Sequence, residues 1–244
     1  MSLVLTLATA RRVLNQIRHD RRTLAMLLVL PAVLMILLRY MFDSGPVFNH
    51  VAPGLLGLFP FTVMFLVTSV ATLRERTGGT LERLMTMPIH KVDLLLGYAL
   101  AFGLVAIAQV GLVAGLTVTW LGLDVAGSAW LLVLIAAVDA LLGTALGLFV
   151  SAFARTEFQA MQFLPVVVLP QALLCGLFVA RDHMARALEY ASDVLPLSYA
   201  VDAMTRVTAS PAFTVEIARD LAVVGGSAVL ALVLGAATLR RRTG

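Results

Sequence analysis

Long apolar runs alternate along the chain with short charged breaks. No charged residue falls between Thr23 and Leu38, Val51 and Leu73, Leu94 and Leu123, Val125 and Val138, or Leu221 and Leu239. A helix crosses a bilayer with about 20 apolar residues, and several of these runs reach or exceed that. The pattern predicts an all-α polytopic membrane protein with six spans, near 23–42, 51–73, 94–122, 129–153, 161–180 and 218–239. Ahead of them, residues 1–22 read as an amphipathic helix along the membrane surface. Leu3, Leu7, Ala10, Leu14 and Ile17 recur at helical spacing, with Arg11, Asn15, Arg18 and Arg22 on another face. Residues 181–217 are too charged to span, yet Met184, Ala187, Leu188, Ala191 and Leu195 keep helical spacing. They predict short outer helices whose irregular backbone is buried in protein or faces a wet cavity.

Composition supports this picture. Of 244 residues 60% are hydrophobic and 13% charged, and the mean hydropathy is +0.96. A soluble domain is about half apolar and about a quarter charged. The formal charge of +4 suggests no nucleic-acid partner, because the basic residues sit beside apolar runs, where anionic lipid headgroups explain them. Their distribution predicts orientation. Arg11, Arg12, Arg18, Arg21, Arg22, Arg74, Arg76, Arg83, Lys91, Arg155 and the tail Arg240, Arg241 and Arg242 fall on one side. Only Arg181, Arg186, Arg206 and Arg219 fall on the other, with Arg39 near the outer end of the first span. Thirteen against four puts both termini, including the basic tail 240–244, in the cytoplasm. Trp120 and Trp130 flank the third-to-fourth connection as interfacial aromatics do. The single Cys175 excludes an internal disulfide framework. The N-terminal apolar run is too long for a cleavable signal.

The cytoplasmic connection 74–93 carries the most information. Gly78 and Gly79 break the exit from the second span, Thr80 can cap a helix, and Glu82 suits its first turn. Leu81, Leu84 and Met85 form one apolar face, and Pro88 ends the element after about two turns. A short, half-apolar knob between two spans is a handle for a cytoplasmic machine, or simply an amphipathic loop.

The stretch RERTGGTLERLMTMP resembles the E-x-x-G-T-L-E-x-L-x-x-x-P segment of type-2 ABC transporter permeases, the family of daunorubicin-resistance-type exporters. The resemblance implies a coupling helix that docks on a separate ATPase, with Glu75, Gly79, Thr80, Leu81, Glu82, Arg83, Leu84 and Pro88 as the coupling residues. The family often has Gly-Lys at the entry to the third span; here it is Gly97-Tyr98. Residues 147–178 look like the family's fourth-to-fifth-span region, and LPLSYAVDAMTRV (195–207) like the outer segment that caps its translocation path. The same resemblance implies a permease subunit in a bacterial cytoplasmic (inner) membrane. It would work as a homodimer or with a related permease, and move drug or lipid cargo outward. ATP and Mg would sit on the partner, with no cofactor bound by this chain.

Within the spans Asp139 stands out, because a carboxylate at mid-membrane must be protonated, paired or facing a cavity. It is either a substrate or proton contact, or half of an interhelical hydrogen bond to Gln109. Gln171 could line a path or cross-link helices, and Arg39 snorkels outward or meets an anionic ligand. No phosphate-cradling G-x-x-x-x-G-K-[ST], no H-E-x-x-H and no G-x-S-x-G paired with a membrane histidine is found, so no enzyme is expected. An ion-coupled secondary transporter using Asp139, a permease for a lipid-linked glycan, and a membrane scaffold are the alternative readings.

Overall fold

The computed structural model describes residues 2–78 and 91–238, with Arg22 and Lys91 described by backbone alone. Among these residues the chain forms nine α-helices and one 3-10 turn, and no strand. They are α1 (Leu3–His19), α2 (Arg21–Phe42), α3 (Gly45–Thr77), α4 (Lys91–Thr119), α5 (Ala129–Ser151) and α6 (Glu157–Leu174). The 3-10 turn Arg181–His183 then leads to α7 (Arg186–Val194), α8 (Pro196–Ala209) and α9 (Val215–Thr238). Helices α2 to α6 and α9 are long and apolar enough to cross a membrane.

Local chemistry moves several ends from their expected places. The second span begins six residues early because Pro46 occupies the first turn of α3, where an N–H has no partner to lose. It runs on to Thr77 because Arg74 and Arg76 suit the negative end of the helix dipole. The fifth span is shifted toward its N-terminus. Thr156 caps α6 by accepting from the Gln159 N–H at 3.2 Å, and Gly176, at φ 91°, closes the exit. Asp20 caps α2 in the same way, accepting from the Thr23 N–H at 3.1 Å. Prolines 31, 53, 60, 165 and 170 lie inside membrane helices, which tolerate proline more readily than soluble helices do.

The centre is the pair α3 and α5, flanked by α9, α8 and α4, with α2 and α6 against the outer faces of α3. Gly143 and Gly147, one turn apart on α5, make this contact possible. A Cβ on either would fall 2.4 Å and 2.5 Å from the carbonyl oxygens of Phe61 and Phe65. Lipid tails are as apolar as leucine, so close backbone approach and van der Waals packing hold such helices together. Around this seam Phe48, Phe61, Phe65, Phe102, Leu132 and Ile135 are fully buried. Leu37 on α2, Leu173 on α6 and Val229 on α9 face outward, as a lipid-bathed surface requires.

Two elements differ from the sequence pattern. The side of α1 that packs on α4 is Thr6, Thr9, Ala10, Val13 and Ile17, while Leu3 and Leu7 are 81% and 62% exposed. The reason is Gly97, whose missing side chain lets Thr9 and the Thr6 carbonyl come within 3 Å of where a Cβ would be. Small side chains win that contact, and the leucines are left outward. In the outer segment Leu195 and Pro196 divide two helices, and Met184 lies before the first. The buried residue of α7 is Ser192, whose hydroxyl donates to the Leu174 carbonyl at 2.7 Å, while Leu188 and Val194 face out.

Candidate functional site

The residues Gly79, Thr80, Leu81, Glu82, Arg83, Leu84 and Pro88 lie outside the described residues, as does the tail 240–244. The helix ends that carry them are described, and polar contacts converge there. Gly78 closes α3 by donating to the Arg74 carbonyl at 2.9 Å. One turn back, Glu75 points inward and is only 7% exposed. Its carboxylate accepts from Arg12 of α1 at 2.9 Å, and the same guanidinium donates to the Tyr98 hydroxyl of α4 at 2.8 Å and lies over that ring. Glu75 therefore braces α1 to α3. Position 98, where the resemblance implies a lysine, holds a tyrosine that receives a cation from α1.

Three further contacts tie the same end together. Arg74 makes two parallel 2.8 Å bonds to Glu157 in the first turn of α6. Arg76 donates to the Ser151 carbonyl at the end of α5 at 2.7 Å. The Ser2 amide donates to Asp93 in the first turn of α4 at 3.1 Å. Sequence spacing offered no signal for Arg12, Tyr98, Asp93 or Glu157, since their partners are 63 to 91 residues away.

The membrane-embedded polar residues are dispersed. Asp139 on α5 is 0% exposed, and among the described residues neither of its oxygens has a hydrogen-bond partner. Gln109 on α4 is equally buried, and among the described residues neither end of its amide is bonded, so the alternative of an Asp139–Gln109 hydrogen bond is not realised. Asp139 instead abuts Gly57 of α3, where an added Cβ would meet its Oδ2 at 3.2 Å and the Met204 side chain of α8 at 2.8 Å. Gln171 cross-links helices, donating to the Val167 carbonyl at 3.0 Å and accepting weakly from the Leu197 N–H at 3.4 Å. Arg39 donates to the Leu121 carbonyl at 3.0 Å beyond the end of α4 and lies over Phe48.

At the opposite end of the helices an open cavity of about 510 Å³ is lined by His50, Gly54, Gly176, Arg181, Val201 and Asp202, among others. Its floor is one turn above Asp139, since Gly54 lines the cavity while Gly57, one turn along α3, lies against the carboxylate. Arg181 dominates the wall. It donates to Asp202 at 2.5 Å and to Asp193, and it lies over the Tyr199 ring, whose hydroxyl donates to the Asp193 carbonyl. Burial raises the Asp202 carboxyl above its ordinary value, against the pull of Arg181. Burial also works against the Arg181 charge, but Asp202 and Asp193 outweigh it and raise that pKa. The α4–α5 connection is sewn to α8 through Ala126 and Gly127, which donate to the carbonyls of Thr208 and Val207.

The family model for ABC-2 type transporters matches residues 4–208. Three curated relatives illustrate the similarity. The "Probable multidrug ABC transporter permease YbhS" of Escherichia coli is 26% identical over 168 residues, covering 68% of this chain and 45% of its own length. "Inner membrane transport permease YhhJ" of the same species is 30% identical over 137 residues, 56% of this chain and 37% of its own. The "Linearmycin resistance permease protein LnrN" of Bacillus subtilis is 24% identical over 182 residues, 74% of this chain and 47% of its own. The chain thus spans under half the length of the relatives it matches.

Proposed function

This chain belongs to the ABC-2 type transporter family, and we propose that it is the membrane-spanning subunit of an ATP-driven exporter powered by a separate ATPase. The single observation that carries the reading is the family match across residues 4–208, which contains the whole 74–93 connection. The arrangement of the described residues supports it. Three helices, α1, α5 and α6, are tied by polar contacts to the terminal turn of α3, and Ser2 ahead of α1 is tied to the first turn of α4; the 79–90 segment lies between these two ends. A push on that segment would be shared by several helices at once. ATP and Mg belong to the partner, which docks on Thr80 to Pro88, and both termini face the cytoplasm with it.

The functional unit is two permeases, identical or related, as the separately named permeases YbhS and YbhR of Escherichia coli illustrate. The cargo is a hydrophobic or amphipathic drug or lipid, by analogy with relatives whose names speak of multidrug and linearmycin resistance. The test is co-purification with a candidate ATPase and stimulation of its turnover in proteoliposomes. Glu82→Ala or Leu84→Asp should abolish the stimulation while leaving membrane insertion intact. Vectorial transport by the wild-type chain without any ATPase would overturn the proposal. That result would favour an ion-coupled transporter, a reading drawn from the unpartnered, fully buried Asp139. Asp139→Asn would then remove transport.

A further inference from the structure

The seam between α3 and α5 closes on glycine and then parts. Gly143 and Gly147 bring α5 against Phe61 and Phe65 of α3. Thr68 is caught in the same contact, its Cβ 3.1 Å from where a Cβ on Gly147 would be. One turn nearer the loop-bearing end the seam residues are Ser151 on α5 and Thr72 on α3, and both carry side chains. A small cavity of about 10 Å³ opens between them. Leu95 and Tyr98 of α4, Leu148 of α5 and Gly235 of α9 help to wall it. One water requires about 10–15 Å³, so the space suits a single water and no organic ligand.

We propose that this cavity holds one structural water, bonded by Thr72 and Ser151. A buried water needs roughly two to four polar partners, and the wall supplies hydroxyls of complementary kinds. Thr72 is 5% exposed, and among the described residues its Oγ1 has no partner, so it can both donate and accept. Ser151, 1% exposed, spends its hydrogen on the Leu148 carbonyl at 2.7 Å. It keeps only lone pairs, which a water O–H can fill. Tyr98 accepts from Arg12 at 2.8 Å, a bond that leaves its own hydrogen to donate. A water that donates to Ser151 and accepts from Thr72 or Tyr98 supplies what these groups lack. It joins α3, α4 and α5 just inside the contacts of Arg12 and Arg76, with α9 behind it. The inference does not rest on the transport reading.

The test uses the full chain in phosphatidylcholine nanodiscs, exposed to millisecond X-ray pulses in isotope-labelled water. Radiolysis of a bound water releases hydroxyl radical, which oxidises the side chains beside it, and mass spectrometry locates the added oxygen. Leu148 on the cavity wall is expected to be oxidised, while Leu142, on the same helix and also buried, is not. Thr72→Val keeps the shape, removes the hydroxyl and should abolish Leu148 oxidation, whereas Thr72→Ser should retain it. Thermal unfolding supplies an independent sign. With a bonded water, Thr72→Val should lower the Tm by about 2–4 °C, the loss of about one hydrogen bond in a chain of this size. Thr68 Oγ1 is also buried with no partner among the described residues, but it is packed against α5 and has no bond to lose. Thr68→Val should therefore leave the Tm unchanged or raise it. Leu148 no more oxidised than Leu142 in the wild type, or Leu148 oxidation that survives Thr72→Val, would overturn the inference. So would a Tm for Thr72→Val at or above the wild-type value, or an equal fall in both valine variants. The wild-type comparison of the two leucines decides the matter even if a variant fails to fold.

Discussion

The two ends of the bundle are held in different ways. At the loop-bearing end the polar contacts are several and reach the 74–93 region from separate parts of the chain: Arg12 of α1, Ser151 of α5, Glu157 of α6 and Ser2 ahead of α1. At the opposite end one residue, Arg181, gathers Asp193, Asp202 and Tyr199, all within 21 positions in sequence. The first arrangement spreads load across the molecule and tolerates the loss of any one tie. The second is local, so it can loosen as a unit without disturbing the spans. A distributed brace suits the end where force would arrive, and a single clasp suits the end where something would leave.

The comparison breaks most severely if the seam connecting the two ends is damaged. Gly143→Val would drive a side chain into the Phe61 carbonyl, which stands 2.4 Å from the Cβ position. Overpacking of this kind costs about 3 kcal/mol or more, and the variant should lose monodispersity in detergent. Next comes the clasp. Arg181→Ala leaves two carboxylates unpaired beside a cavity and should cost about 2 kcal/mol, less than a fully buried pair because the site is partly wet. Thiols placed on α7 should then label faster, while the loop end stays protected.

Arg12→Ala strips the partner from a 7% exposed Glu75 and should cost about 1–2 kcal/mol by thermal unfolding; Glu75→Gln should recover much of it by removing the charge. The distributed brace predicts the smallest energies for its exposed members. A double-mutant cycle on Arg74 and Glu157, both about half exposed, should give a coupling of about 0.2–1 kcal/mol, shrinking further with salt. A value above about 2 kcal/mol would mean that this one pair dominates the end and that the contrast with Arg181 is false.

Acid offers a finer probe of the clasp. Asp202 has its carboxyl raised above 3.8 by burial, so the folded state takes up its proton more readily than the unfolded chain does. Its contribution to stability therefore grows as pH falls through the raised value and is complete below 3.8. Melting curves between pH 7 and pH 4 should show this slope in the wild type and lose it in Asp202→Asn.

Much of the fold was written in hydropathy. Uninterrupted apolar runs located all six long helices because a bilayer leaves few other options for such segments. Their ends depended on single residues instead. Pro46, Thr156 and Gly176 moved boundaries by four to six positions, through effects that a hydropathy window averages away. The packed side of α1 departs from the leucine pattern because Gly97, nearly ninety residues on, decides which residues fit against α4. The site was less legible still. Glu75 stands out in the motif, yet nothing in its neighbourhood announces that Arg12 and Tyr98 would enclose it. Asp139 and Gln109 looked like partners because both are polar and embedded, and periodicity alone could not show that no hydrogen bond joins them.

The contact between the Ser2 amide and Asp93 bears on how the protein is handled at the bench. Asp93 is 1% exposed, and among the described residues its other oxygen has no partner, so that carboxylate leans on the very start of the described chain. An affinity tag or fluorescent fusion joined directly before Ser2 would tug on the first turn of α4, a few residues from the 79–90 segment. A label intended to report on this protein without perturbing it belongs behind a flexible spacer long enough to leave Ser2 where it is.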